Sequence, residues 1–187
     1  PLYTFDTALE AMREGRLNYD LGLSVLYWRK LRDEFLSIPT LGTINFHPAL
    51  LPEYKGTGGY NLAIMDELNE WGNTAHYVDA SIDTGEIIEV DRFPIDAETE
   101  TAQSLERKTM QALEDFARRI ITRAIESKTK LPTTPNIGGR YVSRDEMEAM
   151  KQIRDGDNIE KKIRAFWFPP YDGAYVEING QKYTLIN

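Results

Sequence analysis

The stretch Asn45-Phe46-His47-Pro48-Ala49-Leu50-Leu51-Pro52, continuing to Lys55-Gly56, is the densest polar and glycine-rich part of the sequence. Along an extended segment alternate side chains share one face, so Asn45 and His47 project side by side. Pro48 keeps His47 extended, because a proline disfavours the helical region for the residue before it. An amide N–H can stabilise negative charge growing on a carbonyl oxygen, and an imidazole can give or take a proton. Such a pair suits acyl transfer. A carboxylate on a nearby turn completes the set, and Asp83 in Ile82-Asp83-Thr84-Gly85 offers one. Its charge would favour the protonated form of an adjacent imidazole.

The elements that must position these groups follow an α/β order. A short helix is expected over Asp6 to Glu14, capped by Asp6 and ended by Gly15. Asp20 to Tyr27 is mostly apolar and reads as a strand buried on both faces. A helix over Arg29 to Ser37 leads to a second buried strand, Leu41 to Phe46, which delivers His47 at its carboxyl end, where open α/β sheets place their ligand crevices. Gly58 to Asn69 has a helical apolar face; Thr74 to Val78 and Glu86 to Phe93 read as strands around the Asp83 turn. Thr101 to Ser127 is a long amphipathic helix with Leu105, Leu113, Phe116, Ile120 and Ala124 on one stripe. Residues 131–142 hold two prolines and two glycines and read as a linker. Beyond it, Ser143 to Glu146 is a capping box, Asp157 to Glu160 starts another helix, and Asn179-Gly180 is a hairpin turn between two alternating segments. The expected organisation is a catalytic domain over 1–130 and a small α+β tail over 131–187, too small to stand alone.

Composition narrows the function. The 187 residues carry 22 Lys and Arg against 30 Asp and Glu, a net charge of −8, which disfavours an extended grip on nucleic acid. No segment approaches the roughly 20 apolar residues of a membrane span. Cysteine is absent, which removes thiolate metal sites and a Cys nucleophile and fits the reducing cytoplasm. Histidine occurs only at 47 and 76. Asp-Thr-Gly is also the aspartic-protease signature, but that machinery pairs two such lobes and this chain holds one.

Asn45 to Pro52 together with Thr74 to Ile88 resembles the 10-formyltetrahydrofolate-dependent formyltransferase family, with the likeness extending over roughly residues 18–127. The resemblance implies the C-terminal portion of a Rossmann-like catalytic domain, with the N-terminal βαβα part missing, and a sheet with an exposed edge. It implies a catalytic triad of Asn45, His47 and Asp83, with Asn45 and His47 holding the oxyanion and Asp83 supporting His47 and aiding proton removal. No metal is implied. The donor, 10-formyltetrahydrofolate, would lie along Val25, Leu26, Tyr27 and Trp28 and the loop containing Asp79 and Ile82. His76 would be a positioning residue. Ala49 departs from the Ser common in the family, without removing a triad group.

Among the branches of that family, the segment Ile163 to Ala174 looks like the sequence that nucleotide-sugar N-formyltransferases carry after the catalytic domain. The implied substrate is a nucleotide-linked amino-deoxysugar of surface polysaccharide synthesis. Lys55, Gly56, Tyr60 and Asn61 would then meet the diphosphate and sugar, with Tyr60 available for stacking. A homodimer paired through the edge hairpin is also expected. Transfer to glycinamide ribonucleotide or methionyl-tRNA, and a catalytically silent folate-binding module, are the alternatives.

Overall fold

The structure is a computed structural model that describes residues 3–27 and 29–187. In chain order its elements are α1 (Phe5–Arg13), β1 (Gly22–Val25), α2 (Asp33–Leu36), β2 (Thr43–His47), β3 (Tyr54–Gly56), α3 (Gly59–Met65), β4 (Glu70–Tyr77), β5 (Ile87–Pro94), α4 (Ala102–Ser127), β6 (Arg140–Val142), α5 (Arg144–Met150), α6 (Ile159–Phe166), β7 (Tyr175–Ile178) and β8 (Gln181–Thr184). The central sheet runs β1-β2-β4-β5. β1 lies parallel to β2, and β4 is antiparallel to both β2 and β5. This is the α/β architecture expected from the order of elements, with the long helix laid across the sheet.

α4 starts cleanly because Thr101 and Ser104 cap it reciprocally, each side chain accepting the other's backbone N–H. Leu105, Thr109, Leu113, Phe116, Ile120 and Ala124 fall three or four residues apart and form its buried stripe. That stripe meets Ile44, Phe46 and Ala75 from β2 and β4, with Phe46 edge-on to Phe116 at a centroid distance of 6.1 Å. A second cluster joins Ala49, Leu50, Ala63, Trp71, Ile95 and Leu105 behind the polar stretch. These two clusters fix the depth at which β2 presents its carboxyl end.

Several expectations need correction. Asp20 to Tyr27 is not a strand buried on both faces: β1 covers only Gly22–Val25, and Leu23 and Val25 are 48% and 47% exposed. β1 pairs with β2 alone among the described residues, so its outer face meets solvent; a free edge was the expectation. Thr4, not Asp6, caps α1, because the Thr7 N–H points at the Thr4 hydroxyl. α2 is a single turn, α3 ends at Met65, and β4 begins at Glu70 rather than Thr74. Residues 131–142 are not a free linker. Thr134 exchanges backbone hydrogen bonds with Ile87, and β6 pairs in parallel with β3, an unexpected strand. Both strands are three residues long, too short for a period-two pattern to show.

The tail packs against the catalytic half through Ile64 of α3, which meets Ala165, Phe166 and Ala174. The Asn61 amide donates to the Ala165 carbonyl at 2.6 Å. β7 and β8 pair in the register that the Asn179-Gly180 turn dictates, with both turn residues at positive φ. Because Phe116 is buried against Phe46, Phe116→Ala is expected to destabilise the fold by about 3–5 kcal/mol, read as a lowered urea midpoint.

Candidate active site

β2 is held on both sides, and its register decides what its side chains meet. Asn45 lies opposite His76 and His47 opposite Thr74 across the β2–β4 ladder. The Thr74 hydroxyl donates to the Ala49 carbonyl at 2.7 Å and accepts the Leu51 N–H at 3.1 Å, so β4 also anchors the chain just after His47.

The partners of each imidazole assign its protons. His76 Nδ1 is 2.8 Å from the Tyr77 carbonyl, which can only accept, so Nδ1 carries hydrogen. In the neutral ring Nε2 is then an acceptor, and Asn45 Nδ2 donates to it at 3.0 Å. One amide hydrogen of Asn45 is thereby used and the other remains for a ligand. His47 Nε2 donates to the Tyr54 carbonyl at 2.9 Å, which turns Nδ1 toward Asp83.

Asp83 stands between the two rings. Its Oδ2 is 3.7 Å from His47 Nδ1 and its Oδ1 is 3.7 Å from His76 Nε2. The Gly56 N–H donates to Oδ2 at 2.9 Å. Asp83 adopts φ +54, a left-handed conformation that Asp tolerates better than most residues. The turn is fastened by Asn136, whose amide donates to the carbonyls of Asp83 and Gly85 at 3.0 and 2.9 Å. Asp79 closes the loop from the other side, accepting from the Ser81 N–H and the Thr84 hydroxyl. Gly56 is required where it stands: it has φ +81, and a Cβ there would lie 2.4 Å from the Val142 carbonyl.

The electrostatics follow from burial and from these contacts. Burial pushes the His47 pKa below its ordinary value; the Asp83 carboxylate and the Tyr54 carbonyl oppose that shift without overcoming it. Burial acts to raise the Asp83 carboxyl, but the Gly56 N–H, together with the His76 and His47 rings when they carry a proton toward it, outweighs burial and holds it below the usual range. The resting arrangement is a neutral His47 beside an ionised Asp83.

Two cavities meet at this group. One is a cleft lined by Ser24, Tyr27, Asn45, His76, Ile82 and Asp83, among others. The other, of about 410 Å³, contains His47, Gly56, Tyr60 and Asn61 on one wall and Arg144, Lys151, Phe168 and Tyr171 on the wall made by the tail. Asn45 and Asp83 thus border one cavity and His47 the other.

The expected site residues fall out as follows. Asn45, His47 and Asp83 come together. Tyr27, Asp79 and Ile82 line the first cleft. Val25 instead borders an apolar groove along α4, and Leu26 is exposed. Trp28 lies outside the described residues. Lys55 does not face the His47 cavity; its ammonium donates to the Gly138 carbonyl at 2.8 Å. The Gly56 N–H is taken by Asp83, Tyr60 packs near Trp71, and the Asn61 amide holds the tail, though all three border the His47 cavity. Asn136, Arg144 of α5 and Lys151 just after that helix were missed. The only signal for Asn136 was its place within a proline- and glycine-bearing segment read as a linker.

The chain belongs to the formyl transferase family, whose model matches residues 6–124. It is 28% identical over 92% of its length to a methionyl-tRNA formyltransferase of Bacteroides fragilis, of which it covers 49%. It is 30% identical over 89% of its length to a GDP-perosamine N-formyltransferase of Brucella melitensis, of which it covers 64%. The chain therefore spans about half to two thirds of these curated relatives. Its fold matches a 4-N formyltransferase from Francisella tularensis with a TM-score of 0.82, at 22% identity, over 100% of this chain and 76% of that one. It also matches an N-formyltransferase from Helicobacter canadensis in complex with folinic acid and dTDP-3-aminofucose, with a TM-score of 0.68 and 29% identity, over 86% and 59% of the two chains.

The lowered His47 pKa has a consequence for stability. Between the unfolded value near ~6.5 and the lower native one, the unfolded chain binds more protons, so acid favours unfolding. Stability is expected to fall as the pH drops from 7 toward 5, by at most about 1.4 kcal/mol per pH unit from this group. His47→Gln removes that component, so urea midpoints of the variant should depend less on pH over this window.

Proposed function

We propose that the protein carrying this chain transfers the formyl group of 10-formyltetrahydrofolate to the amino group of a nucleotide-linked amino sugar. The observation that carries this reading is the triad standing between two cavities, one for a donor and one for an acceptor. The solved Helicobacter relative, which holds a folate and a dTDP-linked amino sugar, supports it.

The cleft fits a folate by its chemistry. The amide of Asn45 and the carboxylate of Asp83 converge at its inner end, and Tyr27 and Ile82 offer partly exposed apolar surface at its mouth. When bound, the donor supplies a formyl carbon to the acceptor amine; its bond to N10 breaks, one amine proton leaves and N10 gains one. The second amide hydrogen of Asn45 stabilises negative charge on the formyl oxygen, and His76 holds that amide in place. His47 Nδ1 is free to take a proton on the acceptor side, and the imidazolium so formed sits against the Asp83 carboxylate 3.7 Å away. His47 then returns its proton to the leaving nitrogen directly or through water.

On this reading residues 1–130 carry the transfer chemistry and 131–187 shape the acceptor side. Arg144 supplies positive charge for a diphosphate, beside Lys151, which is paired with Glu148, and Phe168 with Tyr171, 5.9 Å apart, an aromatic surface for a base. The exposed hairpin edge of β8 would serve a homodimer. Among the described residues no helix is long and apolar enough to cross a membrane, which is compatible with a cytoplasmic enzyme.

A second reading, transfer to methionyl-tRNA, is favoured by the Bacteroides relative. The net charge of −8 weighs against it, since tRNA binding calls for a basic surface. The full-length protein, offered 10-formyltetrahydrofolate with a panel of dTDP-, UDP- and GDP-linked amino sugars and with methionyl-tRNA, is expected to release tetrahydrofolate only with a sugar. His47→Ala should lower kcat by at least about 100-fold. Turnover on methionyl-tRNA alone would establish the second reading, and a near-normal rate for His47→Ala would remove His47 from the chemistry.

A further inference from the structure

The side-chain amide of Asn136 donates to the Asp83 carbonyl at 3.0 Å and to the Gly85 carbonyl at 2.9 Å. Both partners can only accept, so the nitrogen end of the amide faces the turn. The oxygen end is buried and accepts no protein donor. A buried oxygen without a partner costs stability, so the worth of this amide lies in its two donated bonds. Asn136 lines neither the cleft nor the His47 cavity. The segment that carries it is held on both sides. Before it, Thr134 and Ile87 exchange backbone hydrogen bonds at 2.8 and 2.9 Å. After it, Lys55 donates to the Gly138 carbonyl, the Arg140 N–H donates to the Glu53 carbonyl at 2.8 Å, and β6 pairs with β3. The Asp83 turn has weaker support of its own. Asp83 sits at φ +54, and the bonds from Asp79 to the Ser81 N–H and the Thr84 hydroxyl tie the loop only to itself. The Gly56 N–H holds the carboxylate but not the backbone beneath it.

We propose that Asn136 is a positioning residue for the transfer: without touching substrate, it sets where the Asp83 carboxylate stands against His47. The proposal rests on the roles given above to His47 and Asp83. No hydrogen bond joins that pair, because Oδ2 and Nδ1 lie 3.7 Å apart. Their separation is therefore set by the place of the turn, and the attraction between an imidazolium and a carboxylate weakens as that separation grows. Asn136 is the side chain that fastens the turn to a separately anchored stretch of chain. It stands in the segment after α4, outside residues 6–124 that the family model matches. The same segment runs on through β6 to Arg144 on the wall of the His47 cavity. The tail thereby serves the chemistry of the triad as well as the shape of that cavity.

The first reading of the test needs no ligand. The full-length protein is isotope-labelled at histidine and its ring signals are followed by NMR as the pH changes; the His47 signal is the one lost in His47→Gln. The groups that face His47 are Asp83, His76 from β4, and Tyr60, Arg144, Glu148, Lys151 and Asp172 around its cavity. Of these, Asn136 bonds only Asp83. The Asp83 carboxylate raises the His47 pKa, so displacing it in Asn136→Leu should move the His47 titration to lower pH than in the wild type. The second reading is kinetic, with 10-formyltetrahydrofolate and the dTDP-, UDP- or GDP-linked amino sugar that the wild type turns over. In Asn136→Leu kcat is expected to fall about 10- to 100-fold, the effect of misplacing a group by roughly 1 Å, with the KM for the folate little changed. Asn136→Ser keeps one donor and should fall between; it decides by the same two readings where Asn136→Leu does not fold. A folded variant with the His47 titration unmoved would overturn the proposal, whatever its kcat, and His47→Ala would still test the triad by itself. A wild type that turns over no amino sugar would overturn the functional reading, and the titration would still decide whether Asn136 places Asp83.

Discussion

A single carboxylate holds the site together. Asp83 must sit within reach of two buried imidazoles without neutralising itself, and every element nearby serves that end. Left buried and alone it would take up a proton. The Gly56 N–H donates to it and favours its ionised form, as does either ring when protonated. The conformation this needs is a left-handed one, which the turn cannot hold unaided; Asn136 reaches back from beyond α4 to bind the carbonyls of Asp83 and Gly85. The packing of α4 on the sheet, the β3–β6 pair and the Thr134–Ile87 bridge bring residues from four separate stretches of chain to that one turn.

The same carboxylate makes the two histidines different, although both are buried. His76 spends Nδ1 on a carbonyl and Nε2 on Asn45, so its hydrogen-bonding capacity is used up in orienting an amide. His47 spends only Nε2 and keeps Nδ1 for Asp83 and for whatever enters its cavity. A burial-lowered pKa makes His47 a proton acceptor at neutral pH, and a nearby carboxylate stabilises the proton once taken. The two rings differ because a backbone carbonyl lies against a different nitrogen in each.

Much of this was legible in the sequence, for physical reasons that differ by element. The α4 stripe and the Asn179-Gly180 hairpin were clear because each rests on local periodicity or turn chemistry. Asn45, His47 and Asp83 were legible because strand alternation and a proline fix their geometry locally. β3 and β6 were not, since three-residue strands leave no pattern and pair across more than eighty residues of chain. β1 was misjudged because an apolar run reads alike whether a neighbouring strand covers it or solvent does. Lys55, Gly56 and Asn61 stand out in the sequence by residue type, but the groups they bond, Gly138, Asp83 and Ala165, come from elsewhere in the chain and leave no local signal.

On the proposed reading, a division of labour between the two cavities accounts for similarity to two kinds of relative in one chain. The family match ends at residue 124, within α4, and covers the groups around Asn45, His76 and Asp83. Transfer of a formyl group makes the same demands there whatever the acceptor is. The wall facing His47 is different. Arg144, Lys151, Phe168 and Tyr171 come from the tail, outside the matched stretch, and pack onto α3 through Ala165 and Phe166. On that reading a new acceptor can be met by changes in α5 and the loop after α6 while the Asp83 turn stays fixed. Asn61 limits that freedom, because one residue both borders the His47 cavity and binds the Ala165 carbonyl, so a change there alters the docking of the tail and the shape of the cavity together.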